Sequence, residues 1–507
     1  MSKTPSKKLY DLIHSLTAAE KRHFRLFASK YRSTNKYLLL FDIIDQHTQF
    51  DEGVFMKEIY QTDDIEGKKY SELKNYLYKL IIKSLQYYDE LKSVEYTLED
   101  YLRGVRVLYR RGHYKDCRAL LKKARTMAYE YEDFSTIIAI IRWEKQIAYT
   151  LIDVGFLDKY REMLHREEQH CIQQLTNVSE YRHIFYDVLV SIKKEAFLSS
   201  TTKKNALQHI LSHPLMQGNE QAQSYYAKLL YYRIYALYYS VILDYPQFYE
   251  CSTHVVATME SKPHLLAENK SEYISSLSNL VLSCGLLKKY EEVNNVLEKL
   301  KSIEPDTLDD ELKIHRQYYL NKFSLIIAQG DFASGELLLV AHWRESEKFD
   351  QQLFERGIFY FQYFYIYFGV SDYGQALFYL NHWLNQGKTI ERQDLQSIAR
   401  ILNIIIHLEM GNYLLIEHLL KTTHRFLDKQ QRLFAFERYF LQYIKIVEKQ
   451  PPRQTIQKAL LQLREQLAAL QALPSESVIF QYFNFLAWID SKIHHTTFGE
   501  AIRALNQ

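Results

Sequence analysis

The sequence predicts an all-α chain organised as an α-solenoid, a stack of helix pairs behind a small N-terminal helical domain, and three observations predict it. A bulky anchor, followed three positions later by a mostly small residue and seven positions later by an aliphatic one, recurs ten times. The anchors are Tyr114, Leu157, Lys203, Phe248, Tyr290, Phe332, Tyr373, Tyr413, Ile456 and Phe498, spaced 40 to 46 residues apart. Only 15 Gly and 8 Pro occur in 507 residues, fewer than turn-dependent β architectures need. The length also exceeds the roughly 250–300 residues that a single compact core serves, and stacked repeats need no central core.

Each slot has a physical reading. Offsets of three and seven share one helix face, so the seven-offset residues Leu121, Leu164, Ile210, Val255, Leu297, Leu339, Leu380, Leu420, Leu463 and Leu505 mark a buried stripe. The three-offset slot holds residues such as Cys117, Ala206, Cys251, Gly335, Ala376, Ala459 and Ala501, which let a neighbouring helix approach closely; Tyr160 is the large exception. In the clearest units a turn residue precedes the anchor, as in Gly112-His113-Tyr114, Gly330-Asp331-Phe332, Ser371-Asp372-Tyr373 and Gly411-Asn412-Tyr413. Pro263 and Pro305 each stop a second helix.

Those residues resemble the tetratricopeptide repeat, whose second helix opens with Gly-Asp-Tyr, a small residue three later and an apolar contact four beyond. The likeness covers residues 96–507, about ten units averaging about 42 residues against the family's 34, so each helix is expected to be about a turn longer. The resemblance implies a right-handed superhelix of antiparallel helix pairs whose first helices line a concave face. By that analogy Phe361, Tyr365, Phe368, Ile401, Ile405 and Leu408 are candidates for a partner-binding groove. The last unit stops inside its second helix at Gln507, so its cap is expected to be minimal or the end to dock elsewhere.

Residues 1–95 lie outside the register and are expected to form a helical domain or cap. Thr17 and Glu20 form a capping box, Asp51 caps a short helix to Tyr60, and Leu73, Leu77, Leu80, Ile81 and Leu85 mark a longer helix over Tyr70–Leu91, expected to pack on the first repeat. Lys74-Asn75-Tyr76-Leu77-Tyr78 resembles the recognition segment of helix-turn-helix regulators, without their spacing.

Charge is uneven. Residues 1–36 are net +7 and residues 101–125 net +8 in a chain of net +3, so the remainder is net −12. Arg103, Arg106 and Arg110 share one helix face; Arg111, Lys115, Arg118 and Lys122 share another. Such rows suit an acidic peptide or a phosphate backbone, or else answer the acidic run Asp89–Asp100. The 42 tyrosines concentrate in Tyr225–Tyr249 and Phe359–Phe368, and a helix apolar all round, as the second must be, is expected to be enclosed.

Enzyme signatures fail one by one. Gln386-Gly387-Lys388-Thr389 imitates the end of a phosphate-binding loop, but His382 stands where its first glycine belongs. His165, His170 and Cys171 lack metal-ligand spacing, and four cysteines make no disulfide framework. No catalytic residue, cofactor or metal is expected. With a polar, basic start at Met1–Lys8 and no eighteen-residue apolar run, the chain is expected to be cytoplasmic, without membrane contact. The expected function is a non-enzymatic scaffold for a peptide or protein partner; the alternative is a nucleic-acid-associated regulator acting through the basic N-terminal quarter. Oligomeric state is not legible.

Overall fold

The computed structural model describes residues 6–29, 35–60, 67–89, 93–194, 207–350, 353–354, 358–385, 393–429, 435–471, 479–480 and 482–506. Among them the regular elements are helices and none is a strand. They cluster in two compact units, one drawn from 1–196, 204–276 and 303–313 and the other from 277–302 and 314–507.

The first unit opens with α1 (Lys8–His14), α2 (Ala18–Ser29), α3 (Asn35–Gln46), α4 (Glu52–Tyr60) and α5 (Gly67–Asp89). The capping box forms: Glu20 Oε2 accepts from the Thr17 amide at 2.6 Å, and Thr17 Oγ1 accepts from the Glu20 amide at 3.2 Å. Asp51 accepts from the Gly53 and Val54 amides and starts α4. The long helix α5 packs on α2 and α3, not as expected on the first repeat. Its Leu73, Leu77, Leu80 and Ile81 join Phe24, Leu40 and Phe41 in a core of their own, and the next core begins at Leu98. Part of the N-terminal positive charge is answered locally, because Lys21 and Arg25 on α2 pair with Asp45 at 2.6 and 2.8 Å. Burial alone would raise the Asp45 carboxyl; the two cations outweigh it and hold it below its ordinary range.

Four helices follow in the same unit: α6 (Val94–Tyr109), α7 (Tyr114–Glu130), α8 (Phe134–Thr150) and the 41-residue α9 (Val154–Lys194). Next come α10 (Tyr225–Val241), α11 (Tyr245–Glu260), α12 (Pro263–Ala267) and α13 (Lys270–Leu286). The second unit contains α14 (Tyr290–Lys301), α15 (Leu308–Gln329) from residue 314 on, α16 (Phe332–Ser346), α17 (Ile358–Gly369), α18 (Tyr373–Asn385), α19 (Gln393–Glu409), α20 (Tyr413–Lys429), α21 (Ala435–Val447), α22 (Arg453–Gln471), α23 (Phe485–His494) and α24 (Phe498–Asn506). Helices adjacent in sequence pack on one another, notably α6 on α7, α8 on α9, α10 on α11, α17 on α18 and α23 on α24.

One turn geometry joins most of the pairs. The residue two before the second helix has positive φ, at Gly112, Ile152, Leu243, Lys288, Gly330, Ser371 and Gly411. The next residue returns its amide to the first helix, as Asp153 does to Ala148 O at 2.9 Å and Asp331 to Ile326 O at 3.2 Å. Where that residue is Asp, its carboxylate also accepts an amide of the coming helix, as with Thr136, Phe156, Gln247 and Gln375. The left-handed slot is therefore general while its glycine is not. A non-glycine residue there costs about 1 kcal/mol. Replacing Leu243, φ 63°, by Gly is expected to stabilise the first unit by about 1 kcal/mol, less the entropy glycine brings to the unfolded chain, read as a higher urea midpoint.

The register needs correction in three units. The helices of the Leu157, Phe248 and Ile456 units begin at Val154, Tyr245 and Arg453, three residues before the anchor. Because i and i+3 share a face, a register displaced by three still falls on the buried stripe: Leu164, Val255 and Leu463 are all buried. Lys203 and Ala206 lie outside the described residues. No turn interrupts α9, which contains no Pro, has its single Gly at the second position, Gly155, and buries Leu164, Cys171, Tyr181, Ile184 and Val188 along its length. Leu505 departs from the stripe and is exposed, being one residue from the end of α24.

The C-terminal helices fold back within the second unit. Phe498 stacks on Phe332 with ring centroids 5.6 Å apart and planes 9° apart, and Arg503 Nη1 donates to Gly330 O at 2.7 Å. Asn506 Nδ2 donates to Ala328 O at 2.8 Å. The chain end thus docks on the turn between α15 and α16.

Candidate functional site

The basic rows lie on α6, α7 and the turn between them, and all seven side chains are exposed. Arg103 pairs with Asp100 one helical turn back on α6. Arg118 bridges to Asp153 at 2.8 Å and lies over the Phe156 ring, and Arg111 donates to Val107 O at 3.0 Å. Arg106, Arg110, Lys115 and Lys122 make no ion pair with another described residue. Among the described residues these four and Arg111 therefore stay exposed without a counter-charge.

What adjoins them was not foreseen. Tyr109 Oη and Thr150 Oγ1 are 2.6 Å apart, and Gln146 donates to the same Tyr109 oxygen at 3.1 Å, which ties the C-terminal end of α6 to that of α8. With the Arg118–Asp153 bridge, these bonds set the basic α6–α7 turn beside the α8–α9 turn. There Tyr149, Ile152 and Val154 are 75%, 79% and 65% exposed, with Leu151 between them. Ile152 is also β-branched at φ 52°, a conformation such residues rarely adopt. Apolar side chains are thus gathered on a tight turn beside exposed cations. The sequence signal for it was the consecutive aliphatic pair Leu151-Ile152 where most units place a polar residue or glycine, a pair that recurs only at Ile242-Leu243.

The six groove candidates fall elsewhere. Tyr365, Phe368, Ile401 and Ile405 are buried, while Phe361 and Leu408 are half-buried. As expected, the aromatic helix α17 is enclosed, from Gln362 through Phe368. Its surroundings include the chain's own C-terminal segment: Tyr365 Oη accepts from the Asn484 amide at 2.9 Å, and Phe483 and Phe498 pack on Tyr365 and Phe368. The space that the repeat analogy assigns to a partner is filled, at these residues, from within.

Leu408 lines a cavity of about 270 Å³ in the second unit, formed by α19, α21, α22 and α23. At its base the Glu409 carboxylate accepts from Trp488 Nε1 at 2.7 Å, Lys492 Nζ at 2.5 Å and Tyr373 Oη at 3.2 Å. At its rim Arg453 Nη2 donates to His495 Nε2 at 2.8 Å. Residues from 408 to 495 converge here, and nothing in their local patterns announces it.

A buried polar chain crosses the core of the same unit. His315 Nε2 lies 3.0 Å from His342 Nδ1, and His342 Nε2 lies 2.6 Å from Tyr363 Oη, among Tyr319, Phe323, Phe354 and Phe359. Burial, with His315 adding to it, pushes His342 down to about 3, so its imidazole is neutral at neutral pH.

His165 and His170 stand exposed on α9 while Cys171 is buried, as are Cys117, Cys251 and Cys284. Among the described residues no cluster of His, Cys, Asp or Glu is disposed to hold a metal, and no helix is long and apolar enough to cross a membrane. Residues 386–389 lie outside the described residues. Comparison with protein-family models, characterised proteins and solved structures finds no match to the chain.

Proposed function

We propose that the chain is a non-enzymatic, TPR-like helical-repeat scaffold, and that its partner is a protein segment carrying both acidic and apolar side chains, held on the edge between the α6–α7 and α8–α9 turns. The observation that carries this reading is the juxtaposition of unpaired Arg106, Arg110 and Lys115 with exposed Tyr149, Ile152 and Val154. Charge there gives steering and orientation, and apolar area gives affinity. A phosphodiester backbone would use the cations but leave the apolar turn in water. The aromatic core at Tyr365 and Phe368 supports the same choice of surface, because Phe483 and Phe498 already occupy its neighbourhood.

A photo-crosslinking amino acid at Ile152, followed by mass spectrometry, tests the reading. The expected product is one recurrent protein partner, cross-linked through a segment of interspersed acidic and apolar residues. Capture is expected to fall at least about tenfold in both Arg110→Glu and Val154→Asp chains, since each removes one of the two kinds of contact. Products with nucleic acid or lipid, or capture indifferent to Val154→Asp, would overturn it.

A further inference from the structure

The cavity of the second unit is lined by a guanidinium that has no counter-charge among the described residues. Three donors converge on Glu409, so the one acid of the lining is compensated, and in return it fixes the indole plane of Trp488 and the ammonium of Lys492. Arg453 is different. Its recorded partner is the Nε2 acceptor of His495, and it pairs with no carboxylate among the described residues. One carboxylate and two full cations leave the lining with an excess of one positive charge, in a concave site where such a charge is screened less than on an open surface.

The walls are apolar and partly aromatic. Tyr443 and Trp488 are both buried and meet edge to face, centroids 6.2 Å apart at 81°, with Leu408, Leu460 and Ile493 beside them. A volume of about 270 Å³ falls just below the roughly 300–1,000 Å³ of pockets for drug-sized ligands, which restricts the occupant to one or two rings.

From these elements we propose that the cavity binds a small aromatic carboxylic acid, its carboxylate on Arg453 and its ring against Tyr443 and Trp488. The charge excess selects an anion. Because Lys492 is committed to Glu409, a single free cation suits one negative charge better than the two of a phosphate. An inorganic anion would leave the apolar walls uncovered, whereas a ring covers Leu408, Ile456 and Ile493 and whatever part of Tyr443 and Trp488 lines the cavity.

Isothermal titration of the full chain with indole-3-acetate, and with its neutral isostere indole-3-acetamide, tests the assignment. The acid is expected to bind at one site and the amide at least about tenfold more weakly, the factor a charge-assisted hydrogen bond supplies. Arg453→Gln, an exposed change at the first residue of α22, is expected to lower affinity for the acid by about tenfold and leave that for the amide unchanged. The comparison of acid with amide on the unmodified chain does not depend on any variant folding. No binding of either probe, equal binding of both, or displacement of the acid by inorganic phosphate at equal concentration would overturn the proposal.

Discussion

Acidification from pH 6.5 towards pH 3 is expected to destabilise the second unit by up to about 5 kcal/mol through His342 alone. The histidine titrates near its ordinary 6.5 when unfolded and near 3 when folded. A basic group whose folded value is depressed binds its proton more readily in the unfolded chain. Its neutral form therefore stabilises the fold fully above the unfolded value, and that stability is lost as pH falls through the window between the two. A gap of about 3.5 at about 1.4 kcal/mol per unit sets the upper bound. The cause is geometric: the ring is fully buried, parallel to Phe359 at 5.1 Å, and faces His315 and Tyr363 on its two nitrogens. With one donor and one acceptor, the neutral imidazole satisfies both neighbours, and a cation would place a charge in an aromatic enclosure. Urea midpoints measured from pH 7 to pH 4 check this. His342→Phe is expected to be less stable at pH 7, because it removes the hydrogen bonds to His315 Nε2 and Tyr363 Oη, yet flatter across the window. If the variant and the parent lost stability in parallel, the pH dependence would belong to other groups.

Gly330→Ala is expected to cost about 3 kcal/mol and to release the C-terminal helices. Gly330 sits at φ 66°, and a Cβ there would lie 2.6 Å from Gly499 O and 3.2 Å from Gly499 Cα, both backbone atoms that cannot rotate away. Left-handed strain of about 1 kcal/mol thus adds to a steric overlap worth about 2. Gly411→Ala is the control, since its φ is 71° but nothing lies within 4 Å, so only the strain of about 1 kcal/mol applies. The reciprocal change Gly499→Ala places its Cβ 2.5 Å from Gly330 O without positive φ. The double variant is expected to lose far less than the sum, because either change alone opens the contact. Hydrogen exchange of the α24 amides should rise in Gly330→Ala and stay at the parental level in Gly411→Ala. Equal exchange in both would mean that close glycine packing does not hold the chain end.

The helix pairs and their buried stripes were legible in the sequence because helical periodicity is local: Cys117, Leu121, Ala376 and Leu380 occupy their slots as read and are buried. Helix starts were less so. At Val154, Tyr245 and Arg453 the stripe tolerates a displacement of three residues, and the boundary is marked by Asp153 at the first and by Asp244 with Pro246 at the second. The basic rows were visible as composition, yet the cations without a carboxylate partner among the described residues could be told from Arg103 and Arg118 only once Asp100 and Asp153 were placed.

By itself, then, the sequence determined an all-helical chain of repeated pairs, the enclosure of α17 and the positive charge of α6 and α7, each set by residues within a few turns of one another. Tertiary structure alone decided that Gly330 meets Gly499, that Phe483 and Phe498 fill the space beside Tyr365, that the α8–α9 turn of Ile152 is tied to the basic α6–α7 turn, and that Glu409, Arg453 and Lys492 share a cavity. These contacts join residues about 40 to 170 positions apart. Their partners are chosen by how whole helices pack, and periodicity along a single helix carries no information about that choice.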